Sequence, residues 1–161
     1  MREMRRSEQQ LSRAECLEIL EHRNHGVLAL QGEDGYPYTV PINYFYTDGR
    51  LYFHSAAEGH KIDAIRNQEK ASFCVIDKCA VVQEGFFTRY RSVVVFGKMH
   101  IIEDAAEKKA MITRFTDRLS PSVPEEKRAS EVERGLVAVC MLCLEPEHIT
   151  GKQSRDLAAH V

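Results

Sequence analysis

The chain of 161 residues has no tryptophan. It also lacks the short motifs that mark several common chemistries. There is no G-x-G-x-x-G, G-x-x-x-x-G-K-[ST], H-E-x-x-H or G-x-S-x-G. A Rossmann dinucleotide site, a P-loop, a zincin and an α/β-hydrolase are therefore disfavoured. No apolar run approaches the roughly 18 residues of a membrane span. The first ten residues, MREMRRSEQQ, have no apolar centre of the kind a secretory signal needs. These features lead us to expect a cytoplasmic protein. Charge of one sign is not in excess either: 22 basic and 24 acidic side chains leave a formal net charge of −2. Neither half of the chain is polarised, so nothing resembles an electrostatic footprint for nucleic acid. The basic cluster Arg2, Arg5 and Arg6 reads as a solvated terminus. Five cysteines, an odd number without a signal, argue against a disulfide framework. Cys140 and Cys143 form a C-x-x-C, but they fall in an apolar run that reads as a strand. Residues three apart on a strand point to opposite faces. No second metal-ligand pair accompanies them, so no metal site is expected and the cysteines read as small buried hydrophobes.

What is present is an ordinary globular balance, 43% hydrophobic and 29% charged, at a length suited to one domain. We expect a single domain over residues 1–161, with 1–8 a flexible N-terminus. Ser12 and Glu15 form a capping box that opens a helix, and Leu11 is placed to staple onto Cys16. Strands are expected over residues 26–30, 36–46 and 51–54, joined by Gly- and Asp-rich turns into a three-strand meander. A short helix follows to about Asn67, then a strand over 71–76. Residues 77–89 read as a loop or hairpin, and 90–102 as a long strand. Asp104 and Glu107 open another helix, which Pro121 and Pro124 end. A charged helix over 125–134 and a strand over 136–149 complete the order. Meandering strands with few crossover helices suggest a mostly β fold, an antiparallel barrel with helices packed around it.

Four stretches carry polar residues that strand alternation does not explain. In 36–44, Pro37 and Pro41 each remove a ladder donor, which implies an edge or a bulge. Unpaired backbone there can face a flat polar ligand. In the second stretch, a strand ending in His54 and Ser55 runs through Glu58-Gly59-His60 into a helix start. Free N–H groups at that start attract anions, and Lys61 adds a full charge. His54 is a candidate donor or proton carrier. In the third, Arg91 and Ser92 at the mouth of a strand can clamp a phosphate. In the fourth, Gly151 permits close backbone approach and Lys152 can meet an anion. Taken alone, each stretch reads first as a protected edge, a capped helix or a solvated side chain.

Taken in this order and spacing, the stretches 35–44, 51–56, 58–61, 90–97 and 149–152 resemble the pyridoxamine 5′-phosphate oxidase-like flavoproteins, and more narrowly their nitroimidazole-resistance branch. The resemblance implies a split β-barrel of antiparallel Greek-key type. It also implies a homodimer with FMN at the subunit interface. Pro41, Ile42, Asn43 and Tyr44 would line the isoalloxazine ring. His54, Ser55 and Lys61 would approach the ribityl-phosphate end, helped by Arg91 and Ser92, with Lys152 completing the cofactor set. The branch's active-site histidine falls on His54.

The resemblance has departures. Pyridoxamine phosphate oxidases carry a further C-terminal segment rich in Arg and Trp, which this chain lacks, so vitamin B6 oxidation is not expected. The expected activity is electron transfer from FMN to a small planar acceptor such as a nitroaromatic. The alternatives are a non-catalytic flavin-binding or redox-sensing protein, and a related split barrel that uses deazaflavin or haem.

Overall fold

The computed structural model describes Met1 and residues 3–158. Seven strands form one antiparallel sheet: β1 (His25–Gln31), β2 (Pro37–Asn43), β3 (Phe45–Thr47), β4 (Arg50–Ala56), β5 (Lys70–Val82), β6 (Phe87–Ile101) and β7 (Val139–Gln153). The helices are α1 (Arg13–His22), α2 (His60–Asn67), α3 (Ala105–Leu119), α4 (Glu125–Gly135) and α5 (Arg155–Ala158). The spatial order of strands is β2-β1-β5-β6-β7-β4-β3. The ladder therefore does not close on itself, and the fold is a split barrel.

This order corrects the expected three-strand meander. β1 and β2 pair as one hairpin, while β3 and β4 pair as another at the opposite edge. The segment expected as one strand over 36–46 breaks at Tyr44, whose side chain turns into the core and is fully buried. The ambiguous residues 77–89 extend β5 and β6 into a long hairpin, with an irregularity between Ile76 and Lys78. β7 starts later and runs further than expected. The N-terminal segment makes a 3-10 turn at Ser7–Gln9, with Gln9 buried.

The main core lies inside the sheet, where Leu28, Phe53, Phe73, Val95 and Leu142 pack with α1 and α2. A second cluster fills the space between the outer sheet face and α3 and α4, and includes Tyr52, Phe115, Val132, Met141 and Cys143. Alternation along β7 sets this division: Cys140 joins the first cluster and Cys143 the second. Cys16 is buried as expected, but Cys74 points to the outer face of β5 between the buried Phe73 and Val75 and is only half-buried, and Cys79 lies in the hairpin extension and is exposed. Ser12 and Glu15 make the expected capping box. A Cβ on Gly151 would lie 2.6 Å from Cys16 Sγ and 2.8 Å from Leu11 Cδ1. The close approach that this glycine permits is thus that of α1 to β7. No described helix is long and apolar enough to cross a membrane.

Candidate functional site

Residues of β2, β4 and α2 meet at one end of the sheet. β2 is an edge strand, as its prolines require. Pro41 and Asn43 face outward and Ile42 packs partly against the core. The Asn43 side-chain amide donates to the Asn24 carbonyl oxygen at 3.1 Å. Tyr44 does not share this surface. Its hydroxyl donates to the Leu20 carbonyl oxygen at 3.1 Å within the core, and burial pushes its pKa far up. Its aromatic side chain satisfies the interior, which removes it from the set that could line an open ligand face.

β4 delivers His54 and Ser55 to the junction with α2. Gly59, at φ 120°, precedes the helix and supplies no capping side chain. Only glycine adopts that backbone readily. The N–H groups of Ile62 and Asp63 reach the Gly59 carbonyl, so those of His60 and Lys61 remain the free donors of the first turn. Lys61 is half-buried and forms no ion pair with a described acid. Burial lowers its pKa. The pKa of His54 is also lowered, first by burial and then by the Lys61 charge, so the imidazole is neutral at pH 7. Cys140 stands opposite Ser55 on β7. Burial pushes its thiol up, although Lys108, Arg66 and Lys61 all pull the other way. Arg66 among these is itself paired with Asp63 at 3.8 Å.

Two contacts here escaped sequence reasoning. Tyr38 of β2 stacks on His60, ring centroids 4.1 Å apart, and ties the strand edge to the helix start. His54 meets Phe115 of α3 edge-on at 4.7 Å. That histidine opens onto an apolar cavity of about 320 Å³ beneath α3 and α4, lined also by Leu119, Val132 and Met141. No periodicity could have matched Phe115 to His54 across 61 positions of sequence. His60 did stand in the singled-out Glu-Gly-His-Lys segment.

The remaining residues lie elsewhere in the chain. Arg91 and Ser92 are neighbours on β6 and therefore face opposite ways. Arg91 approaches Glu15 at 3.5 Å and Asp77 at 3.9 Å, with its Nε buried and unpartnered. Two carboxylates already answer its charge, so a phosphate clamp built from Arg91 and Ser92 together is not formed. Ser92 stands directly opposite Lys152 on β7. Lys152 is separated from Cys140 by twelve positions of that strand, about 40 Å of contour. One chain therefore does not bring Ser92 and Lys152 to the His54–Lys61 corner. Among the described residues, no group of three His, Cys, Asp or Glu side chains converges as a metal site would need.

The family model described as pyridoxamine 5′-phosphate oxidase matches residues 12–153. No curated protein matches the chain in sequence. Solved structures share its fold. A conserved hypothetical protein from Mycobacterium tuberculosis aligns at TM-score 0.81 and 19% identity, covering 96% of this chain and 92% of that one. The FAD and heme binding protein from Mycobacterium smegmatis aligns at 0.75 and 22%, covering 94% and 79%. A protein from Bacteroides thetaiotaomicron named for 5-nitroimidazole antibiotic resistance aligns at 0.69 and 22%, covering 89% and 86%.

Proposed function

Because the chain belongs to the pyridoxamine 5′-phosphate oxidase family, we propose that it is an FMN-binding oxidoreductase whose electron acceptor is a small planar molecule such as a nitroaromatic. The observation that carries this reading is Lys61. A half-buried ammonium without an acid partner is costly unless an anion comes to it. With it go the two free N–H groups at the start of α2, and Arg66 and Lys108 act with Lys61 on the buried Cys140 thiol. This donor set suits a phosphate monoester.

FMN would supply the one- and two-electron chemistry that no side chain here offers. Lys61 and the first turn of α2 hold the phosphate. Pro41, Ile42 and Asn43 present the edge of β2 to the flat ring system. His54, neutral at pH 7, donates a hydrogen bond from a ring nitrogen to the acceptor. The apolar cavity beside it excludes water from that acceptor. Support for flavin comes also from the names of structural neighbours, among them a FAD-binding protein from Mesorhizobium loti. The protein acts as a homodimer in this reading. The outer face of β5, β6 and β7 leaves Ile76 exposed and Val94 and Phe96 half-buried, and a second copy seated there would bring Ser92 and Lys152 toward the His54–Lys61 corner of its partner.

The test is a visible absorption spectrum of the purified protein, taken after FMN is added and the sample desalted. Retained flavin bands near one FMN per chain support the reading. A colourless protein that releases all added FMN overturns it.

A further inference from the structure

The cavity of about 320 Å³ beside His54 lies where two helices end. Leu119 and Ser120 on its wall are the last residue and the C-cap of α3, and Gly135 is the last residue of α4. A helix C-terminus carries partial negative charge, from carbonyls without intrahelical partners. Glu131 of α4 also lines the cavity. Among the described residues of the wall there is no lysine or arginine, and His54, the other titratable group there, is neutral at pH 7. The nearby cations of α3 and α4 are directed elsewhere. Arg118 donates to the Glu21 carbonyl oxygen, Arg128 pairs with Asp117 at 2.6 Å, and Lys109 pairs with Glu133. Arg134 pairs with Glu131, but both side chains are largely exposed, and such a pair is weak.

The opposite sign rules on the other side of His54. Lys61 and the start of α2 form a corner that seeks an anion. His54 feels the Lys61 charge and also lines the cavity, so it stands at the boundary between the two. Within the cavity, Ile112, Phe115, Val132 and Met141 are buried apolar walls. A charge brought against them without a partner is costly. Thr116 and Ser120 bring hydroxyls, which donate or accept and so serve an uncharged polar group.

We propose that this cavity selects its occupant by charge: it admits an uncharged planar aromatic and turns away the carboxylate of the same shape. The inference rests on the reading of this cavity as the acceptor site and narrows the acceptor to neutral molecules. Anionic ligands are held by Lys61 and α2, while the space beyond His54 stays free of them.

The experiment is an NMR titration of the full-length protein, with and without FMN, using para-nitrobenzyl alcohol and para-nitrobenzoate. Neither probe carries a phosphate. The alcohol binds saturably, and the carboxylate binds about tenfold more weakly or worse. Lys61→Gln leaves the alcohol unchanged and removes any carboxylate held at the other corner. Thr116 is half-buried, and Thr116→Lys supplies the missing cation and inverts the preference. Thr116→Gln, longer than the parent side chain but uncharged, keeps the parent's order. The proposal is overturned if the alcohol does not bind saturably, if the carboxylate binds the Lys61→Gln protein as tightly as the alcohol does, or if Thr116→Lys keeps the parent's order. Flavin retention is scored in the same samples. The charge order without retained flavin would sink the flavin reading alone, and retained flavin without the charge order would sink this proposal alone. Should Thr116→Lys fail to fold, Glu131→Lys, at an exposed position, decides the matter by the same inversion.

Discussion

Tyr38 on β2 lies against His60, the first residue of α2, with ring planes 27° from parallel. This contact joins an edge strand rich in proline to the helix start that carries Lys61. The strand offers exposed backbone and the helix offers free donors, so a ligand with a flat ring and an anionic tail could use both at once.

Lys61 is the residue on which anion binding at this corner depends. Replacing it with Gln should weaken FMN binding about ten- to a hundredfold, the usual worth of a charge-assisted hydrogen bond. The same change should leave the thermal midpoint equal or higher, because a partly desolvated charge without a partner is removed. Fluorescence titration with FMN and a thermal melt of the free protein check both. A stability loss with unchanged affinity would make Lys61 a structural residue.

Tyr44 separates the fold from the site. It stands in the segment expected to touch the cofactor, yet its hydroxyl serves the Leu20 carbonyl inside the core. Tyr44→Phe should cost about 1 kcal/mol, rising toward ~3 if the Leu20 oxygen is left without a donor. FMN affinity should not change. Urea unfolding measures the first quantity and flavin titration the second.

The contrast between Tyr44 and its neighbours shows what local pattern conveys. Prolines at positions 37 and 41 do mark an edge strand, since a missing donor is a local property. The Ser12 capping box and the opposed faces of Cys140 and Cys143 are local as well, and they were readable. Tyr44 turning inward is not. Its direction is set by α1, whose Leu20 carbonyl needs a donor. The ion pairs of Arg91 likewise depend on Glu15 and Asp77, which reach it through tertiary packing. The two hairpins took opposite edges of the sheet because β7 paired with both β4 and β6. Such a choice is made by the C-terminal strand, long after the turns that suggested a meander.

His54 should make stability depend on pH. Its folded-state pKa lies below the ordinary value of 6.5, so the unfolded chain takes up a proton more readily than the folded one. The stability at stake is fully present above pH 6.5 and is lost as pH falls from there through the lowered folded value. His54→Gln, which does not titrate, should flatten the parent's decline over that window. Melting both proteins across pH 5 to 8 tests the sign. A variant that declines as steeply as the parent would show that His54 is not the group responsible.

The cavity beside His54 should set which acceptors react. Thr116 faces it from α3, and Phe115 fixes the imidazole against it. Thr116→Trp fills much of about 320 Å³ without touching β2 or the start of α2. FMN should therefore bind as before, while kcat/KM for a nitroaromatic acceptor falls about tenfold or more, a barrier change of roughly 1.4 kcal/mol. Because the bulky ring obstructs the acceptor and leaves the histidine in place, a small acceptor such as dioxygen should lose far less. Equal losses for both acceptors would mean that the substitution disturbs His54 itself. No loss for either would place the acceptor outside the cavity.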